Sequence, residues 1–164
     1  MNIFYVSKYP VEAAQSLVDS HVVKMILESA QMLSTAHRVV DGRNLALPDR
    51  REQILYKATH INHPSNVWCR ESATNYYWLF AHYRALCIEY TYRYDKFHKS
   101  QSLEELLIFA PKFLRKFEGT PIPCCMDEKY IISSDPVVNY RNYYNIAKKD
   151  LHKWKKREKP NWIL

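Results

Sequence analysis

The sequence has 164 residues, 47% hydrophobic and 25% charged, with a formal net charge of +7, a length and balance that suit one folded domain around one core. Its two glycines, Gly42 and Gly119, exclude a turn-rich sandwich or barrel and the glycine cradles of Rossmann or P-loop type. No apolar run reaches the roughly 18 residues of a membrane span, the N-terminus lacks the pattern of a signal peptide, and Cys69, Cys87, Cys124 and Cys125 follow neither a disulfide nor a zinc-finger spacing. A reduced cytoplasm is the expected setting, with no cofactor and no metal.

In chain order, Asn2–Val6 reads as an isolated extended piece. Residues 10–17 suit a short helix with Pro10 in its first turn. Asp19 or Ser20 is placed to cap a long helix that runs to about Val40 and closes at Asp41-Gly42. Residues 43–63 are polar and irregular, with room for a short helix around Arg50–Lys57. From Ser65 to about Arg93 no glycine or proline interrupts, so the spacing predicts one long helix. Ser102 with Glu105 forms a capping box for a helix towards Phe117, kinked at Pro111. Residues 120–135 read as a loop, and Ser134-Asp135-Pro136 opens a last helix that ends before Pro160. The expected fold is all-α: a single domain over residues 1–164, with three to four long helices plus short ones. From Pro136 to Leu164, eight Lys and Arg stand against two acids. That concentration attracts polyanions.

Two helices carry the functional candidates. In the first, Val22, Val23, Ile26, Ala30 and Leu33 share an apolar face. His21, Lys24, Glu28, Gln31, Thr35 and Arg38 line up opposite, a mixture suited to a base edge and a phosphate together. His37 falls on the apolar side and reads as a core histidine with a hydrogen-bond partner. In the second, Ala73, Tyr76, Phe80 and Cys87 face the core. Glu71, Asn75, Trp78, His82, Glu89 and Arg93 form the other stripe, where Asn pairs with bases and Trp stacks on them. The two stripes are expected to meet across one pocket. Residues 89–100 interleave aromatics with cations, among them Arg93 and Lys99. His60 and His63 stand three apart without further metal ligands nearby. His63 is read as a phosphate contact, and Asn66, Trp68 and Arg70 beyond it complete the expected ligand set.

Two resemblances follow from these residues. The strings His21–Gln31, His63–Trp68, Glu89–Tyr94 and Tyr140–Tyr144 resemble a family of small tailed-phage proteins, which transfers no activity. Asp19-x-His21 with Glu28 seven residues later resembles the first helix of phage pyrimidine-dimer DNA glycosylases. That resemblance implies a compact all-helical fold, a catalytic role for Glu28, and DNA binding through basic residues. The family forms an imine through the α-amine of a small residue exposed by loss of the initiator Met. Here residue 2 is Asn, whose bulk favours retention of Met1, so Lys24, one turn from Glu28, is the substitute nucleophile.

The leading expectation is a phage accessory protein that captures a nucleotide or modified base between the stripes, sequestering a host immune nucleotide without chemistry. The alternative is a DNA glycosylase/AP lyase built on Glu28 and Lys24. The third is a helical protein-interaction module. The first two expect a phosphate-bearing partner, and none expects a membrane.

Overall fold

Pro10 starts α1 (Pro10–Ser16), and Leu17 ends it in extended backbone. The next helix, α2 (Asp19–Val40), begins without a side-chain cap, because Val18 holds the cap position. Asp19 lies inside the helix and uses its carboxylate elsewhere, accepting from Arg93 Nη1 at 2.9 Å and from the Lys155 amide at 2.8 Å. Gly42 follows α2 because a Cβ there would lie 2.3 Å from the Arg38 carbonyl oxygen. A short helix, α3 (Arg51–Ile54), interrupts the irregular stretch beyond it.

The expected single helix from Ser65 to Arg93 is two, α4 (Pro64–Glu71) and α5 (Ala73–Tyr94). Ser72 sits between them in extended backbone and accepts from the Asn75 amide at 3.1 Å. A serine in that role restarts a helix without glycine or proline, which is why the break leaves no mark in composition. The capping box at Ser102 produces only a 3₁₀ turn, Lys99–Leu103, and the one-turn α6 (Glu104–Leu107). Pro111 stops rather than kinks it, since residues 108–118 are irregular. The last helix, α7 (Pro136–Ala147), likewise ends well before Pro160. The basic run beyond it offers no apolar stripe to bury. It wraps the base of the bundle instead, with Trp154 Nε1 on the Ser16 carbonyl at 3.0 Å and Arg157 on Glu89 at 2.9 Å.

The structure, a computed structural model, describes residues 1–164 and is all-helical without strands. α2, α4 and α5 pack on one another, and α1 lies against α5. No helix is long and apolar enough to cross a membrane. The chain start does not lie on an edge. Ile3, Phe4 and Val6 are buried in the one hydrophobic core with Val22, Ile26, Ala30 and Leu33, whereas Val23 is exposed. Phe4 adopts a left-handed φ of 54°, a conformation that costs energy in a phenylalanine. Its ring stacks on His21 at 4.2 Å between centroids.

Three histidines are sealed into this core. Burial, helped by Lys148 and Lys24, lowers His21 from 6.5 to about 4. Burial and Arg51 lower His37 to about 4 against the opposing Asp41. Burial lowers His82 to about 4 against its bond to the Pro10 carbonyl. Between about pH 6.5 and 4 the unfolded chain therefore binds more protons at these sites than the folded one, so stability rises with pH across that window. The urea midpoint is expected to fall steadily from pH 7 to pH 5. A flat profile would show that these rings are protonated in the native state.

Candidate active centre

Glu28 lies mid-way along α2 with its side chain 12% exposed. One carboxylate oxygen accepts the backbone N–H of Asn2 at 2.9 Å, and the other pairs with Lys24 Nζ at 3.4 Å. Asn2 is held for this contact by its own side chain. Its Oδ1 accepts from the Ile3 and Phe4 amides at 2.7 and 3.1 Å, and its Nδ2 donates to the Cys125 carbonyl at 2.9 Å. The opening turn is thus tied to a residue more than a hundred positions away.

His63 closes the other side. Its pKa is lowered by burial, then by the Met1 α-amine and His60, with Glu28 opposing. These influences place the amine, both imidazoles and the carboxylate in one neighbourhood. Asn66 completes it, donating from Nδ2 to Met1 Sδ at 3.2 Å and to the Thr59 and His60 carbonyls at 2.9 and 3.0 Å. His63 itself caps α4, accepting from the Ser65 amide at 3.2 Å. No group of three metal-ligating side chains forms around the two histidines.

Much of the expected α2 stripe is not a ligand surface. Lys24 and Gln31 reach solvent, but His21, Thr35 and Arg38 are buried. His21 accepts or donates at 2.6 Å with the Tyr144 hydroxyl and props Phe4. Arg38 is 1% exposed and spends its guanidinium on the Leu45, Glu52, Leu55 and Tyr56 carbonyls and on Glu52. The physical reason is that the chain start, α7 and the 43–58 loop cover α2 on the side where a polar face suggests water. His37 is the buried, hydrogen-bonded histidine its position implies, 3.0 Å from the Tyr76 hydroxyl.

The α5 stripe is covered too. Arg93 is fully buried between Glu89, Asp19 and the Gln15 and Leu17 carbonyls. His82 is buried under α1, on the Pro10 carbonyl. Asn75 braces the Thr120 turn through three contacts of 2.7–3.0 Å with Trp68 and Thr120, and Glu71 accepts from the Thr120 hydroxyl. Lys99 is exposed in its 3₁₀ turn, remote in sequence and element from Glu28. Arg70, half-buried, is left with a buried Nη1 that has no acceptor.

The two stripes do not share a pocket. Asn75 and Trp78 line a cavity of about 510 Å³ with Trp68, Tyr5, Lys8 and Asp135, and no residue of α2 enters it. Sequence reasoning weighed Asn2 and Met1 only for removal of the initiator Met, and missed the contact of Asn2 with Glu28 and its anchor on Cys125. The only available signal was the family's use of its N-terminal amine.

The model of the family described as pyrimidine dimer DNA glycosylase matches residues 1–102. The chain belongs to this family. No curated protein and no solved structure matches it. The glycosylase match covers Asn2, Lys24, Glu28 and His63, and leaves α6, α7, Cys125 and the basic C-terminal stretch outside. The pyrimidine dimer glycosylase resemblance of α2 is therefore the one supported. The resemblance to a tailed-phage family gains no match.

Proposed function

We propose that this protein is a DNA glycosylase with a lyase step, acting on a damaged or modified base, with Glu28 and the N-terminal amine as its reacting pair. The observation that carries this reading is the 2.9 Å contact between the nitrogen of residue 2 and Glu28. In a chain that has lost Met1, that nitrogen is a primary amine against a carboxylate. In a chain that keeps it, the Met1 amine is near enough to His63 to lower its pKa, but it forms no ion pair with Glu28, whose contacts are Asn2 and Lys24. The form that has lost Met1 is therefore the one that presents an amine against Glu28, as an imine-forming enzyme needs.

In the proposed reaction the amine lone pair forms a bond to C1′ of the damaged nucleotide while the glycosidic electrons leave with the base. Glu28 takes one proton from the attached nitrogen and returns it to O4′ as the nitrogen lone pair breaks the C1′–O4′ bond, which gives the protonated imine and a ring hydroxyl. The base leaves as its anion and takes a proton from water. Lys24 is 66% exposed. It lacks the apolar enclosure that lysine nucleophiles use, so its proposed role is to pair with Glu28 and meet a backbone phosphate. The nucleotide-capture reading needed both stripes in one cleft, and α2 contributes nothing to the cavity beside α5.

Borohydride reduction on duplexes carrying a pyrimidine dimer or an abasic site tests this directly. A stable adduct is expected, mapping by peptide mass to the N-terminal residue, and Lys24→Ala is expected to trap as well. An adduct confined to Lys24 would overturn the assignment of the amine. No adduct on either substrate would overturn the lyase step.

A further inference from the structure

The cavity beside α5 has features that the Glu28 centre does not use. Its volume, about 510 Å³, lies in the range of small-ligand sites. Three aromatic rings stand in its wall: Tyr5 packs on Trp78 at 4.7 Å between centroids, and Trp68 meets Trp78 at 6.1 Å and 72°. Both indole N–H groups are already engaged, Trp78 on the Lys8 carbonyl and Trp68 on the Thr120 carbonyl, each at 2.9 Å. The rings are therefore pinned, and a ligand that stacks on them does not have to order them.

Two charged groups at this cavity keep unused bonding capacity. Lys8 is exposed and forms no ion pair. Asp135 caps α7 through Oδ1, which accepts from the Val137 amide at 2.9 Å, and its Oδ2 is unengaged. Asp135 stands close to the wall, since with burial it raises the Tyr5 hydroxyl. The 119–122 and 134–136 segments that complete the cavity lie beyond the matched residues 1–102.

We infer that this cavity binds a nucleobase bearing an exocyclic amine, together with its phosphate. Trp78 already stacks on His82 at 5.2 Å and 24°. The base therefore packs against the wall that Tyr5 and Trp78 form together, the amine donates to the free oxygen of Asp135, and Lys8 meets the phosphate. A free mononucleotide and an unpaired base within a strand share this chemistry. The inference does not depend on catalysis at Glu28, because no residue of that centre lines the cavity.

Calorimetric titration of dAMP, dCMP, dTMP and deoxycytidine, and of short oligonucleotides with one unpaired cytosine, is the test. Binding of dCMP and dAMP at least about tenfold tighter than dTMP is expected. Lys8→Ala should weaken dCMP about tenfold and leave deoxycytidine unchanged, since only the former carries the phosphate. Asp135→Asn keeps an oxygen for the Val137 amide and offers an N–H where the free oxygen stood. It should therefore turn the preference towards dTMP. Both variants are exposed or half-buried at these positions, and circular dichroism confirms their fold. Tight binding of the oligonucleotide with weak binding of dCMP assigns the site to a strand, and the reverse assigns it to free nucleotide. Absence of binding by either, or binding unchanged in affinity and preference by both variants, would overturn the inference whatever the outcome at Glu28.

Discussion

Glu28→Gln is expected to lower single-turnover base release by about 10²–10⁴-fold, while affinity for undamaged duplex changes by less than about threefold. The amide is nearly isosteric with the carboxylate and still offers one oxygen to the Asn2 N–H that Glu28 now accepts at 2.9 Å. It holds neither a negative charge nor a site for the proton that imine formation releases. The lost pair with Lys24 matters little, because that ammonium is 66% exposed and exposed pairs contribute at most about 1 kcal/mol. Quenched-flow base release and fluorescence anisotropy on the same preparation separate the two effects. Equal rates for Gln and Glu would remove Glu28 from the chemistry. Equal losses of rate and affinity would make it a binding residue.

Arg93→Met is expected to be the most damaging single change to the fold, by about 3–5 kcal/mol. The guanidinium is fully buried, donating to Glu89 at 2.7 Å, to Asp19 at 2.9 Å, and to the Leu17 and Gln15 carbonyls at 2.9 Å each. Methionine fills comparable volume but leaves Glu89, itself 2% exposed, with Arg157 as its sole cation. A buried carboxylate that loses a partner costs far more than the pair contributes when intact. The double variant Glu89→Leu, Arg93→Met should recover part of the loss in urea midpoint, because it removes the orphaned charge. If the single variant loses less than about 1 kcal/mol, water reaches Glu89 and the network is weaker than its burial implies.

The fold class was legible because it follows from long-period patterns: apolar positions three and four apart in α2, few glycines, and proline or acid signals at helix starts. The boundaries were less so. Ser72 ends one helix and caps the next with a single hydroxyl, and nothing in its neighbours marks it. Helical periodicity also overstated the solvent face of α2. It reports which residues share a side, whereas what covers that side is decided by chain segments far away. Arg38 and His21 are polar because they satisfy buried carbonyls and a tyrosine hydroxyl, and a sequence cannot distinguish that use from ligand binding. Glu28 was singled out through a family resemblance in its spacing from Asp19 and His21. Its neighbour Asn2 was not, because a contact across 26 residues to an extended segment has no periodicity. Trp78 and Asn75 were singled out for stacking and pairing, and with Trp68 of the expected ligand set they do line one cavity, but their company is Tyr5, Lys8 and Asp135 rather than α2.

The tether from Asn2 to the Cys125 carbonyl orders events during synthesis. Residues 1–102 carry the proposed reacting groups, yet the side chain that aims the nitrogen of residue 2 at Glu28 is anchored beyond them. Phe4 in turn packs edge-on to Tyr140 and Tyr144. Contacts of such sequence separation form late. On the proposed reading, a nascent chain leaving the ribosome has its carboxylate long before it has a positioned amine, and it is expected to stay inert towards nearby DNA until α7 has emerged and docked.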